Sequence, residues 1–453
     1  MVVRRGYNVI DFKENRINNS ISLTRVASLM LLLLFIILFL YSIFFESIAP
    51  LYLYSIFINV FVIFLFRKNP SFLLFYIFCL FYTLSLIPYY FFDLDVSLWK
   101  DFNERKYYDI VVRIYSCFLV TPLVFNHRKY LDFIEQFKIP HNPNILGFIT
   151  FFSICIFVII FGQSGSNVFE SGGYATGDSS KSSMYEYYIL FFFIAYYYSN
   201  RRKSQLILLI SLGIVYIIKS LLYGGRIEVI QYLILTFYIL IVDYKVKISP
   251  FKIILGCLIF YYVNLVFGSI RSNPVPLLEG NYIAYLSPFQ TYSDPNTTYI
   301  SSNEGDVIQS SVRLIGLIEN GLLDVVTRIK ALAGFIFSIV VPSSWLPEEA
   351  SLITYKKDIY NSGGGGLIAV YFYAFLGWVG PFIISGYLFL LYTLTKKTQN
   401  FYLKLYFLMV FSTFPRWFAY NPIILFKLCL WIIPLVFVSN LIFNYKRKSR
   451  VLK

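Results

Sequence analysis

Apolar runs long enough to cross a bilayer recur along the whole chain, and they restrict its fold more than any other feature. A spanning helix needs about 20 mostly apolar residues. Segments of that kind fall at 24–45, 48–66, 70–92, 108–126, 145–163, 185–200, 204–223, 226–243, 250–268, 367–394, 401–419 and 422–444. The 453 residues are 58% hydrophobic, 21% aromatic and only 14% charged, whereas a soluble domain carries about a quarter charged residues. That composition excludes a soluble enzyme, a secreted disulfide scaffold and a disordered tail protein. The expected fold class is an all-α polytopic membrane protein of about twelve transmembrane helices.

The net charge of +15, from 39 basic and 24 acidic residues, reads as orientation and not as nucleic-acid binding, because the cations sit in short clusters between apolar runs. Placing the N-terminus in the cytoplasm puts Arg4, Arg5, Arg67, Lys68, Arg128, Lys129, Arg201, Arg202, Lys203, Lys245, Lys247, Lys396, Lys397, Lys446, Arg447 and Lys448 inside. Both termini are then cytoplasmic. The polar start runs into 26–45 without a small-residue cleavage pattern, so that stretch is expected to be a retained span and not a signal peptide. The five cysteines lie in apolar runs without pairing or metal spacing. Three regions follow: helices 1–9 with short loops over 1–268, a large external loop over 269–366, and helices 10–12 with a basic tail over 367–453. The loop is expected to form a small outer-face subdomain, with the apolar stretch 325–341 as a re-entrant or interfacial helix. No internal repeat is visible, which counts against a transporter of two similar halves.

With this orientation the outer face holds few arginines: Arg226, Arg271, Arg313, Arg328 and Arg416. Gly224-Gly225-Arg226 opens the eighth span, so a helix N-terminus, two glycines and a guanidinium coincide. Those are the parts of an anion site; the plainer reading is a tight turn with a snorkelling arginine. Lys219 lies nearby. Gly363 to Gly366 lead into the tenth span and suit a backbone nest or a hinge, with Gly364 and Gly365 at their centre. Arg416 precedes Asn421-Pro422, a cap pair for the twelfth span. Several guanidiniums sharing one cavity would bind a diphosphate. Asp294 and Asp306 are loop candidates for a general base, while Glu228 is expected to balance Arg226. Both histidines, His127 and His141, fall in one cytoplasmic loop, so outer-face chemistry has no histidine base and no histidine-bound metal. No metal and no cofactor are expected.

Gly225-Arg226 at a span start, Val341-Pro342-Ser343-Ser344-Trp345-Leu346-Pro347, Gly363 to Gly366, and Tyr371-Phe372-Tyr373-Ala374-Phe375-Leu376-Gly377-Trp378-Val379-Gly380 together resemble elements of the O-antigen and oligosaccharide repeat-unit polymerases (Wzy type). The likeness extends to the architecture of a dozen spans and one large external loop in the second half. The family's spaced Arg-x10-Gly loop motif is not evident after Arg226 or Arg271. The resemblance implies transfer of a growing glycan from undecaprenyl diphosphate to a newly flipped lipid-linked unit, at the outer face of a bacterial inner membrane. It also implies membrane lipid, undecaprenyl-diphosphate-linked oligosaccharides, a flippase and a chain-length regulator as partners. Trp345 would then stack on a sugar ring or, on the plainer reading, anchor at the membrane interface; Tyr371, Arg313 and Arg328 are further substrate-binding candidates. A lipid-linked oligosaccharide flippase or other secondary transporter is the alternative; a ligase fits less well, because that family places a histidine in its external loop.

Overall fold

The computed structural model describes residues 9–451 other than 93, 96–101, 103, 126–138, 140, 165–179, 182, 223–224, 273–278, 282, 284–290, 295–296, 301–302, 342–344, 348–351, 353–364 and 399. The first half is a series of helices: α1 (Val9–Phe44), α2 (Ala49–Leu65), α3 (Pro70–Leu84), α4 (Ile87–Phe92), α5 (Arg105–Val120), α6 (Ile145–Phe161), α7 (Ser183–Glu186), α8 (Tyr188–Tyr198), α9 (Lys203–Leu222), α10 (Arg226–Val242) and α11 (Pro250–Ser272). The long connection contributes α12 (Asn303–Glu319) and α13 (Val325–Ser338). The chain ends with α14 (Ile368–Leu376), α15 (Val379–Thr398), α16 (Phe401–Ser412), α17 (Phe414–Ala419) and α18 (Ile423–Val451). A 3-10 turn at Thr121–Val124 follows α5, and there are two short antiparallel pairs, Gln163–Ser164 with Ser180–Lys181 and Thr291–Asp294 with Thr297–Ile300.

Every apolar run singled out in the sequence is helical. Among the described residues six helices are long and apolar enough to cross a membrane: Arg25–Phe44, Pro70–Phe92, Arg105–Val124, Lys203–Leu221, Val379–Thr398 and Ile423–Phe443. Shorter apolar helices accompany them. The protein is therefore a helical, multi-pass membrane protein. Asparagine caps start several helices: Asn69, Asn144 and Asn400 each accept two backbone N–H groups of the following turn.

Three of the expected spans are broken. The run 70–92 is interrupted by a turn at Ser85–Leu86, and 401–419 at Thr413. The run 367–394 is split at Gly377, whose φ of 65° belongs to the left-handed region that glycine tolerates. The described helices of the long connection dock into the bundle. Helix α12 packs against α5, α14 and α3, and α13 against α14 and α18. The outer flank of α13 stays apolar and exposed through Val325, Ile329, Ile336 and Phe337, which suits an interfacial helix.

Aromatic packing sets the position of α17. Phe75 of α3 meets Trp417 at 5.6 Å and stands edge-on to Phe414 and Phe418. Trp417 is fully buried, and its indole N–H donates to the Val410 carbonyl at 2.9 Å. Helix α5 runs through the centre, touching α2, α12, α14 and α15.

Polar contacts between connections gather at the two ends of α10. At one end Asp243 accepts from Tyr196 (2.7 Å) and pairs with His141 (2.8 Å) and Arg201 (3.3 Å), joining three connections expected on the inside. Asn142 and Asn440 join them there at 2.8 Å. The opposite end gathers Glu186, Arg226, Glu304, Gly365 and Arg416. Single cysteines should report this division: in intact cells Glu279→Cys will react with an impermeant maleimide above the wild-type background, and Lys247→Cys only with a permeant one. Labelling of both by the impermeant reagent would refute the segregation.

Candidate functional site

Helix α10 begins at Arg226, with Gly225 as its N-cap. The Gly225 N–H closes the preceding turn on Ser220 O at 2.6 Å. Glu228, third in the helix, folds back over the glycine, and a Cβ added at residue 225 would lie 2.9 Å from its Oε2. A glutamate there answers the positive end of the helix. So the close approach that Gly225 permits is made by the chain's own carboxylate. Glu228 is only 4% exposed, and a charge so placed needs a partner.

Arg416 supplies it. Its Nη1 lies 3.7 Å from Glu228 Oε1, while its Nη2 pairs with Glu186 at the end of α7. The same guanidinium sits 5.8 Å from the Tyr420 ring centroid. Among the described residues the buried Arg416 Nε has no acceptor.

The glycine strap closes beside it. Gly365 and Gly366 adopt φ of 104° and 144°. The Gly366 N–H donates to Ala419 O at 2.9 Å, and the Gly365 carbonyl accepts from Ser310 (2.7 Å) and Tyr371 (3.0 Å). Glu304, in the first turn of α12, completes the group. Burial pushes its carboxyl above the usual carboxylate range, the Arg226 charge pulls it back down, and Asp306 pushes it up. Tyr420 lies in the field of Glu304, Arg416, Arg226 and Asp306 together. Thus residues 186, 226–228, 304–306, 365–366 and 416–420 meet at one place.

Three of the sequence-derived elements therefore converge: Gly225-Arg226, the glycine patch through Gly365, and Arg416. Asp306 is exposed at the rim. Other candidates stand elsewhere or are committed. Arg313 is 1% exposed within the packing of α12 on α5, beside Tyr108, and presents no open phosphate-binding surface. Arg328 donates to Ala374 O (2.5 Å) and Tyr373 O (3.0 Å), capping the end of α14. Tyr371 is 1% exposed and shapes the strap, so it stacks on no sugar; Trp345 is 76% exposed. Lys219 caps α6 through Ile159 O and Ile160 O. Glu228 pairs with Arg416. Gly224 and Gly364, and the side chains of Arg271 and Asp294, lie outside the described residues.

Sequence reasoning missed Glu304 and Glu186 as members of the cluster. A signal for the first exists: Asn303-Glu304-Gly305-Asp306 is a cap with acids in the first turn, followed by an apolar face at Val307, Ile308, Val312 and Ile315. It marks an inserted helix where a loop was expected.

No family model, no curated protein and no solved structure matches the chain. The fold and the site define a class, a multi-pass helical membrane protein with a buried arginine–carboxylate cluster at one end of its bundle.

The strap makes a specific demand. Gly365→Ala places a Cβ 3.1 Å from Ala419 O on a backbone with φ of 104°. It should lower stability by roughly 1–3 kcal/mol, read as a reduced Tm of the purified protein in detergent. An unchanged Tm would mean that the strap relaxes freely.

Proposed function

We propose that the protein polymerises undecaprenyl-diphosphate-linked oligosaccharide repeat units by metal-independent glycosyl transfer at the outer face of a bacterial inner membrane. In this reading about twelve segments span the bilayer, both termini are cytoplasmic, and the Arg226 end faces outward. The observation that carries it is the convergence of Arg226, Glu304 and Arg416, residues separated by long stretches of chain, with the glycine strap beside them.

The chemistry needs few groups. The acceptor hydroxyl of the incoming unit attacks the anomeric carbon of the donor glycan. The anomeric C–O bond to the lipid diphosphate breaks, its electron pair leaves with the diphosphate, and the hydroxyl proton passes to a base. Arg226 would neutralise charge growing on the leaving diphosphate, and Glu304, held beside it, is the better candidate for the base than the exposed Asp306. Arg416 holds Glu228 and Glu186 in place. No nucleotide is required, since a lipid diphosphate is already a good leaving group.

The alternative, a proton-coupled transporter of lipid-linked sugars, draws on one observation: four carboxyl groups (Glu186, Glu228, Glu304, Asp306) face two guanidiniums here. Against it, charges within the expected spans hold structure. Arg113 donates to Ser42 Oγ (3.1 Å) and Ser42 O (2.5 Å), and Lys427 to Val341 O (3.0 Å). Deleting the gene separates the readings, because a polymerase defect leaves single repeat units on the surface and a flippase defect leaves lipid-linked units inside.

Arg226→Ala should cut polymer formation about a hundred- to a thousandfold at normal protein levels, and Arg226→Lys should stay impaired for want of the two-pronged fork. Unaltered chain-length ladders in Arg226→Ala would remove the site assignment, and loss of activity in chelator would end the metal-free scheme.

Glu304→Gln should abolish transfer, and the acid limb of the wild-type rate profile should lie above the ordinary carboxylate range. Stability follows the opposite sign. A carboxyl raised in the folded state binds more protons folded than unfolded, so stability falls as pH climbs from the unfolded value through the folded one. Glu304→Gln should therefore gain Tm over wild type as pH rises toward neutrality. A pH-independent Tm difference would show that burial imposes no such penalty on Glu304.

A further inference from the structure

Helices α10 and α11 follow one another in sequence, yet they do not pack along their length. Consecutive helices joined by a short connection ordinarily lie side by side. Here α11 rests on α3 instead, with Ile253 on Leu73 and Ile77 and with Tyr261 stacked on Phe81 at 4.7 Å and 8°. A groove of 520 Å³ is left between α10 and α11, with α3 as its floor, within the size range of ligand pockets. Its walls are almost wholly apolar, from Ile230 and Phe237 on one side to Gly256 and Phe260 on the other. Water gains no hydrogen bonds from such walls, so in a bilayer the groove holds hydrocarbon.

The ends give that hydrocarbon a direction. At one end the first turn of α12 presents the Glu304 carboxyl, and Phe414, buried and edge-on to Phe78, stands beside it. At the other end is Lys252, which among the described residues is the only cation lining the groove and enters no ion pair. Lys245 and Lys247 are exposed in the connection that leads into α11. Asp243, just before them, is committed to His141, Arg201 and Tyr196. The same end is the start of α11, so the positive end of that helix adds to the lysines. An anionic head is repelled by a carboxylate at the first end and drawn to an unshared cationic mouth at the second. From Ile230 to Leu240 the wall runs ten residues, about 15 Å of helix. That is half the ~30 Å hydrocarbon core, the depth of one leaflet.

We propose that this groove binds one anionic glycerophospholipid, with its phosphodiester head at Lys252 and an acyl chain lying along α10 toward Glu304. The site is separate from the transfer chemistry and needs only that the helices lie in a bilayer. In the orientation proposed above, the lipid belongs to the cytoplasmic leaflet. Its role is structural. Among the described residues α3 is the one sizeable packing partner of α11, and a lipid seated between α10 and α11 completes the seam that the two helices leave open. A zwitterionic head brings its own cation to the mouth and loses the attraction, so net charge is the selecting property.

The test uses the full-length protein, delipidated in a neutral detergent, with phosphatidylglycerol and phosphatidylcholine of identical acyl chains as probes. Phosphatidylglycerol should raise the Tm and be retained as one bound lipid in native mass spectrometry. It should do so at about tenfold lower concentration than phosphatidylcholine, a difference of ~1.4 kcal/mol in binding. Lys252→Glu should erase that preference while the lipid-free Tm stays at the wild-type value, because the exposed side chain holds no partner. Nothing lies within 4 Å of a Cβ added at Gly256, so Gly256→Trp enters the groove without meeting the protein and should weaken both lipids about tenfold. Gly256→Ala should bind both as wild type does. A photoactivatable phosphatidylglycerol should crosslink within residues 230–261. Equal retention of the two lipids, or a Lys252→Glu variant that keeps the preference, would overturn the headgroup assignment. Crosslinks confined to other helices, or wild-type retention by Gly256→Trp, would overturn the groove.

Discussion

The clamp of Arg416 between Glu186 and Glu228 is the interaction on which the organised end of the bundle depends. A carboxylate as buried as Glu228 is costly alone, and breaking such a pair by removing one partner costs far more than the pair contributes net. The clamp ties α7, α10 and α17 into one unit, and these segments come from widely separated parts of the chain. Its value is geometric: Glu228 is held over Gly225, the start of α10 is fixed, and Arg226 emerges from a defined turn. The aromatic wedge of Phe75, Phe414, Trp417 and Phe418 does the corresponding work on the apolar side, since it sets where α17 presents its guanidinium.

Much of the architecture was legible because lipid leaves few choices. A backbone in hydrocarbon must satisfy its own hydrogen bonds, so each apolar run read from composition became a helix. Apolar runs alone did not reveal the caps at Asn69 and Asn144 or two of the breaks, although Pro88, three residues after Ser85, and Pro415, two after Thr413, are helix-interrupting signals. The break at Gly377 needs a backbone angle that sequence does not announce. The cluster was half legible. Arg226, Gly365 and Arg416 stood out as cations and glycines at helix starts, where charge opposes the orienting rule. Glu304 did not, because its importance comes from burial beside α10, a contact between segments far apart in sequence. Arg313 misled for the converse reason. A guanidinium in a long polar connection looks like a surface ligand until that connection folds inward and buries it at 1% exposure.

Helices α10 and α11 are consecutive yet do not pack along their length, and the gap between them and the charged cluster are aspects of one construction. Helix α12 enters the bundle against α3 and α5 and brings Glu304 to the upper rim of the gap between α10 and α11. A connection that stayed outside would leave that gap open to lipid with no polar rim. Insertion of α12 converts a packing defect into a groove with a polar end, and the strap at Gly365 secures α12 through Ser310 while it secures α17 through Ala419.

The excess of carboxylates over guanidiniums bears directly on the proposed reaction. The Arg226 charge works against the burial that raises the Glu304 carboxyl. In the proposed reaction a donor diphosphate would compete for the same guanidinium, and its own negative charge would raise the carboxyl further. Glu304 would then be a stronger base with a donor seated. The same competition would penalise anions too weakly charged to displace a carboxylate from arginine, so the acids that seem misplaced in an anion site would act as its selectivity filter. Coupling of basicity to donor occupancy also guards against idle proton transfer to water, because without a diphosphate the carboxylate stays partly neutralised by Arg226. On this view the cluster is tuned by mutual neutralisation, and the arriving substrate is the charge that unbalances it.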